Sequence, residues 1–202
     1  MSRDIKLSSR REGSKAIRKV FLIVCEGSKT EPGYFSSFRL PKHVYDIEGC
    51  GANTGTVVKE AIRLSKEQSY DEVWCVFDRD SFPRQAVNAA VLKAERAGLK
   101  VAFSNESFEL WYVLHFCYLD VAQSRDQYCG SLSGFLGKPY EKNSDEMYDL
   151  LLDLQPTAIK NAKRLEKNVT NASWANRIPY TGVYMLVERL NKELKKLAGK
   201  QR

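Results

Sequence analysis

Three acidic residues stand where apolar runs break off. The run VFLIVC, residues 20–25, stops at Glu26-Gly27-Ser28, and EVWCVF, residues 72–77, stops at Asp78-Arg79-Asp80. Asp78 and Asp80 are two apart at the end of a predicted strand, so extended geometry would project both carboxylates to one side and turn Arg79 away. Oxygen ligands of this kind suit a hard divalent cation. Mg²⁺ commonly binds through one or two carboxylates and keeps several waters, which leaves room for a phosphate oxygen and an attacking hydroxide. Alone, a D-x-D pair more often forms a turn or caps a helix than binds metal. Glu26 strengthens the metal reading, because an acid directly after a buried strand and ahead of Gly-Ser cannot easily face the core and points into the same crevice. Gly27 lets the backbone turn closely there, and Ser28, Lys29 and Thr30 supply donors to a phosphate. Carboxylates converging in one crevice repel one another until a divalent cation arrives, so affinity for Mg²⁺, with Mn²⁺ as a substitute, is expected. Glu31 is a further candidate ligand; the helix dipole is an equally good reason for an acid at a helix start.

Other residues invite chemistry less directly. Lys142, in YEKN, would stabilise charge on a phosphate if it reached the crevice, and would otherwise be a solvated loop lysine. Glu109, set among Phe108, Leu110 and Trp111, needs a partner if buried: it either supports the metal cluster or pairs with a basic residue. Those apolar neighbours, with Val113, Leu114 and Phe116, read as core rather than as a base-stacking surface. His115, a lone histidine on an apolar face, reads as structural.

The elements that must position these residues alternate. VFLIVC should be a central parallel strand, buried on both faces. A short helix follows around EPGYFSSFRL, with Pro32 near its start, and then a strand near residues 44–47. Thr54-Gly55-Thr56 can cap an amphipathic helix that runs to about Gln68. Residues 72–77 form the next strand, Ala86 to Ala97 a helix closed by Gly98, and Lys100 to Ser104 a further strand. This order predicts an α/β fold: a parallel sheet of about four strands flanked by helices, with chemistry beyond the carboxyl ends of its strands. A basic tail over residues 1–17 precedes a core over 18–118, and a helical C-terminal extension over 119–202 packs on that core. Within the extension, Asp120 to Asn143 reads as a long loop with a short helix, and Thr181 is a candidate cap for the last helix.

The bulk numbers narrow the class. At 202 residues and 43% hydrophobic, the chain can bury one sizeable core. The five cysteines are odd in number, contain no C-x-x-C pair and lie mostly in apolar runs, which argues against a zinc site. The start MSRDIKLSSRREGSK lacks the apolar segment of a secretory signal, and no stretch approaches a membrane span, so a cytoplasmic protein with no membrane partner is expected. Charge is uneven: residues 1–20 carry seven Lys or Arg against two acids, residues 158–202 carry eleven against three, and the middle carries fourteen against twenty. Basic ends attract a polyanion, and an acidic middle tolerates phosphate only with a cation between them. The last helix, with Leu190, Leu194 and Leu197 beside Lys192, Lys195 and Lys196, could pack on the domain or a partner and hold a nucleic-acid backbone.

An apolar strand ending in Glu-Gly, followed by one ending in Asp-x-Asp, resembles the Toprim domain of topoisomerases, DnaG-type primases and OLD-family nucleases over about residues 18–118. The resemblance implies catalytic Mg²⁺ held by Glu26, Asp78 and Asp80. The segments VCEGSKTEPGYF, VFDRDSF, SNESFELWYVLHF, YEKN and IPYTGVYMLVERL together resemble the RloB-like family across nearly the whole chain. One departure is Glu106, where the family commonly carries proline. The resemblance implies a Mg²⁺-dependent nuclease hydrolysing phosphodiester bonds of RNA, tRNA included, or DNA, in anti-phage defence or abortive infection. It also implies an ABC-type ATPase partner; homo-oligomerisation stays open. Two rivals stand beside this reading: a nucleotidyl-transfer or topoisomerase-type Toprim enzyme, for whose accessory domains the chain lacks room, and a non-catalytic module that docks on an ATPase or nucleic acid.

Overall fold

The computed structural model describes residues 19–51, 53–79, 83–169 and 171–199. The basic tail over 1–17 and Asp80 lie outside these residues. The chain runs β1 (Lys19–Cys25), α1 (Thr30–Ser36), β2 (Tyr45–Gly49), α2 (Thr54–Glu67), β3 (Tyr70–Asp78), α3 (Arg84–Arg96) and β4 (Lys100–Asn105). It continues with α4 (Glu109–Phe116), α5 (Arg125–Leu136), α6 (Met147–Leu151), α7 (Gln155–Val169), β5 (Tyr180–Thr181) and α8 (Val183–Gly199). The strands form one sheet in the order β2-β1-β3-β4-β5. The first four are parallel, and β5 is antiparallel to β4, with Ser104 opposite Thr181 and Asn105 opposite Tyr180. This mixed α/β architecture is consistent with a Toprim-like fold.

The apolar run of β1 explains its central place. Phe21 to Cys25 are fully buried or nearly so, and their side chains alternate between two cores on opposite faces of the sheet. On one face Leu22 and Val24 pack with Val57, Val58 and Ala61 of α2 and Val87, Val91 and Ala94 of α3. On the other, Phe21 and Ile23 join Tyr34 and Phe35 of α1, most of α4, Leu132 of α5, Ala162 of α7 and Val187 of α8. That second core draws on residues before and after position 118 alike.

Several local expectations are corrected. The sheet has a fifth strand, which two residues are too short to announce by periodicity. Asn53, not Thr54, caps α2, accepting from Thr56 N at 3.1 Å. The short helix expected within the loop over 120–143 is the twelve-residue α5, which fills half of that stretch and is opened by a capping box in which Ser124 and Gln127 exchange side-chain-to-backbone hydrogen bonds. Only Tyr128 and Leu132 of α5 are buried, and Gly130 and Gly134 dilute the stripe between and after them. Thr181 belongs to β5, yet its hydroxyl accepts from Val183 N at 3.3 Å, so it also steadies the start of α8. The Asn105–Glu106 and Ile178–Pro179 peptide bonds are cis. No helix among the described residues is long and apolar enough to cross a membrane.

Candidate functional site

The carboxyl ends of β1 and β3 are adjacent because the two strands pair in register, Cys25 opposite Val76. Glu26 and Asp78 therefore meet above the sheet. One Glu26 oxygen accepts from the backbone N–H of Asp78 at 3.0 Å, and the other from the Thr54 hydroxyl at 3.3 Å. Thr54, freed of capping duty by Asn53, is 2% exposed and orients the carboxylate instead.

A cleft of about 540 Å³ opens over these ends, lined by the turn Glu26–Glu31 and by Asp78, Phe108, Glu109, Arg125 and Lys142 among others. The sequence-predicted residues Glu26, Glu31, Asp78 and Lys142 are thus brought together, and Glu109 joins them. Asp80 lies outside the described residues. His115 is not among the lining residues: its Nδ1 lies 2.9 Å from the Trp111 carbonyl, its ring packs edge-on against Trp111, and burial pulls its pKa down to about 4. It is a neutral structural residue.

Three acids of the cleft are buried, Asp78 at 6%, Glu31 at 7% and Glu109 at 2% exposure, whereas Glu26 is half-buried. Asp78 Oδ2 accepts from Phe108 N at 3.0 Å and lies 3.4 Å from the Arg125 guanidinium. The same guanidinium lies 3.6 Å from Glu109. Burial, then the charges of Glu31 and Glu109, hold the Asp78 carboxyl well above its ordinary range, against the pull of Arg125 and the Phe108 amide. Burial and Glu109 likewise raise Glu31, against its own backbone hydrogen bond and the charges of Lys142 and Arg125. Glu31 lies so close over Gly27 that a methyl group on the glycine would collide with its carboxylate. A side chain at residue 27 would have to displace that carboxylate from its place over the turn. The far wall is tied to this turn by Thr30 Oγ1 donating to Asn143 Oδ1 at 2.6 Å, which brings Lys142 to the cleft.

Arg125 is the residue that sequence reasoning missed. It opens α5 directly after the Ser124 cap, and only the S-x-x-Q spacing of Ser124 and Gln127 marks that start. Nothing local marks its partners, which lie 47 and 16 positions back in the chain.

Among the described residues no group of three or more His, Cys, Asp or Glu side chains is set to hold a metal ion. The donors nevertheless fit a hard cation. They are oxygens alone, Asp78 Oδ1 is buried with no hydrogen-bond partner among the described residues, and a divalent charge would relieve the repulsion that raises Asp78 and Glu31. Asp78 is the residue that would offer it an unpartnered oxygen.

No curated protein and no solved structure matches this chain. The model of the family described as RloB-like protein matches residues 21–190, most of the chain and every element that builds the cleft. The chain belongs to the RloB-like family.

Proposed function

We propose that the protein is a Mg²⁺-dependent nuclease that hydrolyses phosphodiester bonds of nucleic acid, tRNA or other RNA foremost, in defence against phage and beside an ABC-type ATPase. The observation that carries the catalytic part is the convergence of Glu26, Glu31, Asp78 and Glu109 with Arg125 and Lys142 in one cleft at the carboxyl ends of β1 and β3. Acids alone would repel a phosphodiester, and cations alone would bind it without reaction. The biological setting and the ATPase rest on resemblance to the Toprim nucleases and the RloB-like family.

Mg²⁺, when bound, supplies polarisation of a phosphoryl oxygen and a water of lowered pKa. The chain's own contribution is orientation and charge. Glu26, fixed by the Thr54 hydroxyl and the Asp78 amide, is held to accept a proton or to ligate at one position rather than several. Arg125 and Lys142 present positive charge to the scissile phosphate. Ser28 and Lys29, exposed on the turn, offer a hydroxyl and a positive charge to a phosphate.

The test is cleavage of tRNA, single-stranded RNA and duplex DNA, with Mg²⁺ and with chelator, by the wild type, Glu26→Gln and Asp78→Asn. Activity should require the metal and fall at least about a hundredfold in each variant; equal activity in all three proteins overturns the assignment. One observation favours a second reading, a binding module: Arg125 already offsets part of the charge of Asp78 and Glu109. That reading requires a wild type that binds nucleic acid or ATPase without cutting, and an Asp78→Asn variant that does the same.

A further inference from the structure

Helices α4 and α5 both begin at the cleft, with Glu109 and Arg125, and both carry a phenylalanine at their other end. Phe116 closes α4 about 10 Å along its axis, and Phe135 lies about 15 Å along α5. Their rings stack, with centroids 4.9 Å apart and planes within 9°. Phe135 remains 44% exposed. Cys117 leaves the helix in extended backbone, and Tyr118 follows it. Tyr118 in turn meets α7: the Arg164 guanidinium lies 3.7 Å from its ring centroid, and Asn168 donates to its hydroxyl at 3.1 Å. Two stacked pairs thus lie at the end of α4, Phe116 with Phe135 of α5 and, two residues on, Tyr118 with Arg164 of α7.

The surface of α7 beside this row is basic. Lys160, Arg164 and Lys167 are exposed, Lys163 is paired with Glu188, and the acid among them, Glu166, is taken by the Tyr184 hydroxyl. A lone exposed phenylalanine needs no explanation. Aromatic and guanidinium planes stacked together beside a cationic helix are different: flat faces accept bases, and the cations accept the phosphates between them. An apolar peptide would use the rings and leave the cations without a counterpart. Duplex would use the cations and leave the rings bare.

We propose that Phe116, Phe135, Tyr118 and Arg164 form a platform on which the bases of a single-stranded nucleic acid stack, with its backbone on α7 and its path leading along the exposed face of α5 to the cleft. The inference rests on the reading that the protein acts on nucleic acid, and it names the form taken: an unpaired stretch.

The test measures binding of the full chain in chelator, where no metal-dependent cleavage occurs, by fluorescence anisotropy of a labelled oligo(U) and of a hairpin duplex of equal charge. Phe135→Ala and Arg164→Ala should each weaken oligo(U) binding at least about fivefold. Phe135→Trp should restore it, and hairpin binding should change less than twofold in Phe135→Ala. Circular dichroism checks the fold, which the exposure of Phe135 leaves intact. Unchanged oligo(U) affinity in both alanine variants overturns the platform, as does an equal loss on the hairpin in Phe135→Ala. Self-association of the wild type that Phe135→Ala abolishes, with oligo(U) affinity unchanged, also overturns it, in favour of a contact between copies. Oligo(U) binding lost in the variants, from a wild type that cleaves nothing with Mg²⁺, upholds the platform and overturns the catalytic reading alone.

Discussion

At the scale of single residues, the cleft is governed by how each carboxylate is held. Glu26 has its two oxygens on different donors, the Thr54 hydroxyl and the Asp78 amide, so Thr54 is a positioning residue for whatever Glu26 does. Thr54→Val, which keeps the shape and removes the hydroxyl, should lower kcat for cleavage about tenfold with KM within about twofold, and Thr54→Ser should restore it; steady-state kinetics of the three proteins check this. Asp78 and Glu31 present the opposite case, since burial and mutual repulsion raise both. A carboxyl with a raised folded pKa binds its proton more tightly in the folded than in the unfolded chain. Its stabilising contribution is therefore fully present below the unfolded value, about 4, and is lost as pH rises through the folded one. Asp78→Asn removes that loss, so its urea midpoint should exceed the wild type's at pH 8 and approach it at pH 4. A variant less stable than the wild type at pH 8 would contradict the repulsion argument. Mg²⁺ should raise the wild-type midpoint at pH 8 and leave that of Asp78→Asn nearly unchanged. Glu26 and Asp78 were legible in the sequence because apolar strands end on them. Thr54 was visible only as a cap, a role that its neighbour Asn53 performs.

At the scale of elements, legibility followed the strength of the apolar pattern. The strands β1, β3 and β4 and the helices α2 and α3 show their faces plainly, since each buries a continuous run or a regular stripe against the sheet. Helix α5 does not: its buried residues are Tyr128 and Leu132, its composition is rich in Gly and Ser, and its start is marked by a capping box alone. Arg125 was missed because the short helix expected within 120–143 had no placed start, and a cation there has no local reason to meet Asp78 and Glu109. The same argument makes the cap testable. Ser124→Ala removes the acceptor for Gln127 N and the reciprocal geometry of the box, which should cost about 1 kcal/mol of stability. It should also reduce cleavage beyond what stability explains, because the first turn that aims Arg125 would fray. Urea unfolding and cleavage rates measured on one preparation separate the two effects; full activity at reduced stability would mean that Arg125 is held by its acidic partners rather than by its helix.

At the scale of the whole molecule, the question is whether the part after residue 118 is an addition or a component. The sequence suggests an extension, because strand signals end at Ser104 and long helical stripes follow. The sheet and the core give it a larger share. Strand β5 pairs with β4, Ser104 and Thr181 join their hydroxyls at 3.0 Å, and Asn161 of α7 donates to the Leu114 carbonyl at 2.8 Å. Val183, Leu186, Val187 and Leu190 of α8 are 0–1% exposed in the core shared with β1 and α4. Fully burying four such side chains contributes about 6–12 kcal/mol, comparable with the entire net stability of an ordinary domain at about 5–15 kcal/mol. A chain ended at residue 176, without β5 and α8, should therefore fail to fold although it keeps every residue assigned to the cleft. In the intact protein, far-ultraviolet circular dichroism and tryptophan fluorescence should report one coincident urea transition, since Trp74 lies in the sheet and Trp111 and Trp174 lie in α4 and ahead of β5. Two separated transitions, or a folded and active truncation, would instead make β5 and α8 separable from the fold that carries the cleft, Arg125 and Lys142 included.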